Sequence, residues 1–238
     1  LLQEGLGRLG LTTETPPEAP RAALEAVHTA RFLDFLETGW QAWQKLPNAG
    51  PEVVPNAFPR VPYASYPEAV TARAGWHMSD TSAPIGPESW TATRRAADCA
   101  VAAARAVAEG APAAYALCRP PGHHAMRDCA NGFCFFNNAC IAAEHLTQTY
   151  KKVALIDIDV HTGNGSLDIL YERGDIFFCS LHPDPATYPT FYLGHADETG
   201  EGDGAGKSLN LLLEQGASQD DVLALLDKGI AEQLPRRF

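Results

Sequence analysis

The apolar positions of this chain follow two periods. In Val153-Ala-Leu-Ile-Asp-Ile-Asp-Val-His161 a continuous aliphatic run follows Lys151 and Lys152, then gives way to Asp157, Asp159 and His161 at every second position. Such a run predicts a strand of a parallel sheet, and its alternation sets the three polar side chains on one face. Ile176 to His182 and Ser208 to Leu213 predict two further strands, and Ala113 to Cys118 a short one. Helical spacing marks residues 18–38, where Leu24, Val27, Arg31, Phe32, Phe35 and Leu36 recur. It also marks Ser89 to Glu109, closed by Gly110, then Phe133 to Tyr150, Asn164 to Tyr171 and Gln219 to Gln233. Strand, helix, strand, helix implies right-handed crossovers and an α/β fold with a central, mainly parallel sheet.

Two stretches carry neither period. Pro47 to Pro87 is rich in proline, glycine and aromatics (Phe58, Tyr63, Tyr66, Trp76) and predicts an ordered excursion without long helices, shaping an entrance or a homodimer contact. Pro183 to Lys207 predicts a loop, with Tyr188, Phe191 and Tyr192 followed by Asp197, Glu198, Glu201 and Asp203 among glycines.

Size and composition narrow the reading. With 238 residues, 45% hydrophobic and 20% charged, the chain is expected to form one domain, residues 1–238. No apolar run approaches the roughly 20 residues of a membrane span, and glycine-broken Leu1 to Leu11 lacks the form of an export signal. A net charge of −11 argues against a nucleic-acid partner and leans toward cationic small molecules. Cys99, Cys118, Cys129, Cys134, Cys140 and Cys179 form no C-x-x-C pair, which fits reduced core thiols in a cytoplasmic protein. Cys129 and Cys134 lie near the adjacent histidines His123 and His124, so a metal contact by either is a weaker alternative.

Two carboxylates and an imidazole on one strand face need a cation or hydrogen bonds if they are buried, because desolvated charge is costly. Asp159 and His161 offer one oxygen and one nitrogen, which suits Zn²⁺ and also Fe²⁺ or Co²⁺. His123 and His124, in a turn rigidified by Pro120 and Pro121, are candidates for proton acceptor and donor. Asp157 is placed to orient one imidazole and Asn164 the other. Both clusters stand at carboxyl ends of predicted strands, the edge where open α/β sheets bind ligands.

Arg119-Pro-Pro-Gly-His-His-Ala125, Gly132-Phe-Cys-Phe-Phe-Asn-Asn138, Asp157-Ile-Asp-Val-His-Thr-Gly-Asn-Gly165 and Ser180-Leu-His182, in this order, resemble the histone deacetylase superfamily. Pro183-Asp-Pro through Tyr188-Pro189, Phe191, Gly194-His195 and Gly200 to Gly206 are most similar to bacterial acetylpolyamine amidohydrolases and class II deacetylases. The resemblance implies an arginase/deacetylase-like three-layer α/β/α fold and zinc-dependent hydrolysis of an N-acetyl amide by metal-bound water. The implied substrate is a small cationic acetylated amine, such as an acetylpolyamine, or acetyl-lysine. Asp159 and His161 match metal ligands, His123 and His124 the general acid/base pair, and Asp157 and Asn164 their orienting partners. Gly132 and Phe133 match one wall of a substrate channel and Tyr192 the opposite wall. A structural potassium ion is implied at Asp157, Ser180 and the carbonyls of Asp159, His161 and Leu181, and a second at the carbonyls of Leu170, Arg173 and Ile176. Gly163 stands where arginases carry an Asp that helps bridge two manganese ions, which implies a single-metal site. The family takes its third ligand, an Asp, and a transition-state Tyr from beyond the strand that Ser208 to Leu213 matches. The resemblance thus implies a catalytic domain lacking the C-terminal part of the family fold. The alternative from another class is a non-catalytic module that binds a ligand or partner subunit.

Overall fold

The computed structural model of the chain describes residues 2–59, 61, 63–188 and 193–237. At its centre lie β1 (Val153–Asp157), β2 (Ile176–Pro183) and β3 (Ser208–Leu213), all parallel, in the order β1-β2-β3. Val153 is in register with Ile176, Asp157 with Ser180, and Phe178 with Ser208. With a neighbour on each side, β2 is buried from Ile176 to His182, which accounts for its unbroken apolar sequence.

The helices are α1 (Leu2–Arg8), α2 (Arg21–Glu25), α3 (Ala30–Trp43), α4 (Val70–His77), α5 (Ser89–Ala108), α6 (Asn138–Thr147), α7 (Asn164–Leu170), α8 (Gln219–Asp227) and α9 (Leu234–Arg237). A π-helical turn, Lys228–Gln233, joins the last two. Val153, Leu155, Ile176 and Phe178 share a core with Leu24, Phe32, Phe136 and Leu167 on one side of the sheet. Phe177, Cys179, Leu181 and Leu211 face the other side, against Val222, Leu225 and Leu226 of α8. The alternating side chains of the strands thereby build two cores, and the layers are helix, sheet, helix as expected. No helix among the described residues is long and apolar enough to cross a membrane. None of the six cysteines forms a disulfide.

Several elements differ from their sequence-based expectation, each for a tertiary reason. The helix over 18–38 is two helices, broken where fully buried His28 bonds outward: its Nδ1 lies 3.0 Å from the Met126 carbonyl, and its Nε2 accepts the Asn137 N–H at 2.9 Å. Thr29 then caps α3 by accepting the Phe32 N–H. The Phe133 to Tyr150 helix begins only at Asn138, because Phe133 has a left-handed backbone (φ +68°) and Asn137 caps α6 through the Cys140 N–H. The excursion contains the short α4.

Ala113 to Cys118 forms no strand: no described residue pairs with it, and a strand without a neighbour has no ladder. Between this segment and the open edge of β1 runs a cleft of about 700 Å³, floored by Ala100 and Ala104 of α5 and Ala139 and Ala142 of α6. Ile156 and Ile158 line its β1 side.

Candidate active site

β1 ends at Asp157, four residues sooner than the period-two reading implies, because the chain then turns on its own carboxylates. The Asp159 N–H donates to Asp157 Oδ1 (3.0 Å) and the His161 N–H to Asp159 Oδ1 (2.9 Å). Asp157, Asp159 and His161 therefore meet through successive turns rather than along one strand face. They are not buried together either: the side chain of Asp157 is 9% exposed, that of Asp159 51% and that of His161 38%. Desolvation is thus not what calls for a cation here; the donor set is.

The histidine loop is tied to the first turns of two helices. Asn138 Nδ2 donates to the Pro120 carbonyl (3.2 Å), and the Ser166 N–H donates to the His123 carbonyl (3.0 Å). The two imidazoles consequently lie close, with centroids 4.0 Å apart. His123 Nδ1 is 2.8 Å from Asp157 Oδ2, and His124 Nδ1 is 2.6 Å from Asn164 Oδ1. A carboxylate or amide oxygen only accepts, so each Nδ1 carries the hydrogen and each Nε2 is left for other chemistry.

The two partners differ in charge, and the imidazoles differ accordingly. Burial pulls His123 down, but the hydrogen bond and charge of Asp157, with Asp159 behind it, outweigh burial and raise its pKa above the ordinary histidine value. Burial and the neighbouring His123 lower His124 to about 4, against a partial offset from Asn164. Asp159 is held below the usual carboxylate range: burial opposes this, but the His161 N–H and the charge of His123 prevail.

Asp159 and His161 lie together, with His161 Nδ1 3.1 Å from Asp159 Oδ1. They supply two donors of the kinds zinc takes, half of a tetrahedral shell. Among the described residues no group of three or more His, Cys, Asp or Glu side chains completes a metal set. Cys134 does not add a thiolate: burial pushes its thiol up to about 12, and Sγ lies 3.4 Å from the Gly132 carbonyl. Around the expected potassium site, Asp157 faces Ser180 in strand register, and Ser180 Oγ lies 2.8 Å from His182 Nδ1. Leu170, Arg173 and Ile176 bracket the turn from α7 into β2, where the Leu170 carbonyl accepts the Arg173 N–H (2.9 Å).

The whole chain, residues 1–238, matches the histone deacetylase domain family. It belongs to that family. Among its histone deacetylase relatives, the acetylpolyamine amidohydrolase of Burkholderia pseudomallei is 42% identical over 231 residues, covering 97% of this chain and 67% of the relative. That of Mycoplana ramosa is 43% identical over 192 residues, covering 80% and 56%. The crystal structure of the acetylpolyamine aminohydrolase from Burkholderia pseudomallei superposes with a TM-score of 0.93 at 41% identity, over 99% of this chain and 68% of that one. The chain thus spans between about half and two thirds of the length of these relatives.

Of the residues expected to line a substrate channel in this histone deacetylase domain, Gly132 sits against His124, Phe133 follows it as an exposed side chain, and Tyr192 lies outside the described residues. A Cβ at Gly132 would run into the His124 ring, and one at Gly163 into the Asp157 carboxylate, so both positions require glycine. The 700 Å³ cleft reaches His123 and Asp159, but Phe133 is not among its lining residues, so it is the open flank of the sheet and not that channel. Sequence reasoning passed over Asp80, which accepts the Gly132 N–H at 2.9 Å. The signal available for it was local: an Asp two residues before Ser82, whose N–H it also accepts at 2.9 Å, is an Asx turn.

Proposed function

We propose that this histone deacetylase domain is a zinc-dependent amidohydrolase that removes acetyl groups from acetylated amines, of acetylpolyamine type before acetyl-lysine type. The observation that carries the reading is the split histidine pair: two adjacent imidazoles, one with its pKa lowered to about 4 by burial and one with its pKa raised by Asp157, suit a base and an acid side by side. Asp159 and His161 would hold the divalent ion, with Fe²⁺ or Co²⁺ as alternatives, and Asp157 and Ser180 would border a structural potassium ion. When bound, the divalent ion supplies Lewis acidity toward the amide carbonyl.

The chain's own residues manage the protons. Neutral His124 takes a proton at Nε2 from the water that attacks the acetyl carbon, and Asn164 keeps that nitrogen free by engaging Nδ1. As the C–N bond breaks, His123 gives its Nε2 proton to the departing amine, leaving acetate and the free amine. Asp157, bonded at Nδ1, strengthens the hold of His123 on that proton. A net charge of −11 and the acidic loop from Asp197 to Asp203 favour a cationic substrate. With none of its six cysteines in a disulfide, the chain would suit a reducing compartment, the cytoplasm.

The test is acetate release from N-acetylputrescine and from an acetyl-lysine peptide, with zinc content measured in parallel. We expect turnover, faster with the acetylated amine, that falls by about 10²- to 10⁴-fold in His124→Ala. A strong preference for the peptide would remove the polyamine assignment. The second reading, a module that binds a ligand or partner subunit without turnover, is favoured by the presence of only two convergent metal donors among the described residues. It predicts no hydrolysis of either compound and no retained metal.

A further inference from the structure

We infer that Asp80 is a positioning residue for the proposed hydrolysis: by accepting the Gly132 N–H, it fixes a tight turn that holds Gly132 against His124 and sets where Phe133 stands. The inference rests on the reading above, in which Phe133 borders the acetylated substrate.

Residues Asn131 to Cys134 form a two-residue hairpin, with the Asn131 N–H donating to the Cys134 carbonyl at 3.1 Å and the Cys134 N–H returning to Asn131 at 2.8 Å. Both central residues are left-handed, Gly132 at φ +49° and Phe133 at φ +68°. That pair of conformations is the mirror-image turn suited to hairpins, and its usual occupants are Asn, Asp and Gly. A phenylalanine there is a steric outlier, so something outside the turn must over-determine it. Packing of its ring does not, because Phe133 is 67% exposed.

The outside support comes from residues 77–82. The Ala130 N–H donates to the His77 carbonyl (2.7 Å), and the Ser79 N–H donates to the Ala130 carbonyl (3.0 Å). Met78, wholly buried, bridges Ala130 in parallel, and Asn131 Nδ2 reaches Ser79 Oγ. Asp80 is the last rung of this short pair. Its Oδ2 takes the Gly132 N–H, which the hairpin's own two bonds leave unused, while its Oδ1 takes the Ser82 N–H and stiffens the segment from the other end. Gly132 has no room to shift toward His124, since even a Cβ would enter that ring. One carboxylate therefore holds Gly132 against the His124 ring and fixes the turn from which Phe133 projects.

Asp80→Ala and Asp80→Asn separate the possibilities. Asn keeps an acceptor oxygen without the charge; Ala keeps neither. With an N-acetylated amine of long aliphatic stem, Asp80→Ala is expected to raise KM about tenfold and to change kcat less than threefold, because Asn164, which orients His124, is untouched. Asp80→Asn is expected to recover most of that loss. Hydrogen exchange, which needs no turnover, is read alongside: the Gly132 amide loses protection in Asp80→Ala and keeps it in Asp80→Asn, while the Ala130 and Ser79 amides stay protected in both. Unchanged exchange at Gly132 in Asp80→Ala overturns the inference, as does an Asp80→Asn variant as impaired as Asp80→Ala, which would make charge the requirement. A kcat and stability loss shared equally by both variants would also overturn it, assigning Asp80 a folding role only. Exchange that behaves as expected in a protein without turnover would sink the proposed hydrolysis while leaving the turn's dependence on Asp80 established.

Discussion

His28 has no exposed surface, and burial holds its pKa at about 4, against partial offsets from the Arg127 and Met126 carbonyls. In the unfolded chain the same imidazole takes a proton near the ordinary value of about 6.5. Between those two values the unfolded state binds more protons than the folded state, so stability rises with pH through that window and is fully present above it. The shift corresponds to about 3 kcal/mol at most, lost progressively as pH falls toward 4. Denaturant unfolding followed from pH 7 to pH 4.5 should show this loss. His28→Asn should be less stable at pH 7, through its ties to Met126 and Asn137, and should show a flatter slope below pH 6.5. An equally steep slope in the variant would assign the effect elsewhere, for instance to His124 and His182, whose pKa values burial also lowers.

The elements around the site are joined by one carboxylate. Asp128, in the loop that follows the histidines, accepts from Thr29 Oγ1 and Arg31 at the start of α3 and from Trp76 Nε1 of α4 at 3.2 Å. Its carbonyl also meets His77 Nδ1 at 2.8 Å, and the Arg31 guanidinium lies 5.2 Å from the centre of the Tyr66 ring. Burial would raise the Asp128 pKa, but Arg31 and Thr29 outweigh it and hold the carboxyl ionised. Removing one partner from such a buried network typically costs about 3–5 kcal/mol, because the others are left unsatisfied. Asp128→Ala should therefore lower the unfolding free energy by about that amount, and a loss below about 1 kcal/mol would show that the network is dispensable. None of this was legible along the chain, where Thr29, Arg31 and Asp128 are ordinary polar residues about a hundred positions apart.

For the molecule as a whole, the open edge of β1 is the conspicuous feature. Ile156 and Ile158, at and just past the end of β1, are 37% and 70% exposed and line the 700 Å³ cleft, and among the described residues no strand pairs with the outer edge of β1. An unpaired apolar strand edge is a template for association, and a single charge on it is an effective block. The isolated chain should thus self-associate at micromolar concentrations in sedimentation velocity, and Ile158→Lys should reduce this without changing the far-ultraviolet dichroism. If the variant associates as strongly as the parent, the contact lies elsewhere, and the excursion from Pro47 to Pro87 is the next place to look.

Periodicity and motif order were enough for the three parallel strands, the helices α5, α7 and α8, and the six residues of the cluster, because apolar spacing and residue chemistry are local properties. The family match and the 0.93 superposition agree with that reading of the fold. Local information could not decide where bonds cross between distant segments. The break before α3, the late start of α6 and the failure of Ala113 to Cys118 to form a strand all depend on partners, gained or lacking, far away in sequence. The same holds for the imidazoles. Their identity is written in the chain, but which pKa falls and which rises follows from the burial of His124 beside His123 and from His123 meeting Asp157, and only the folded structure sets those surroundings.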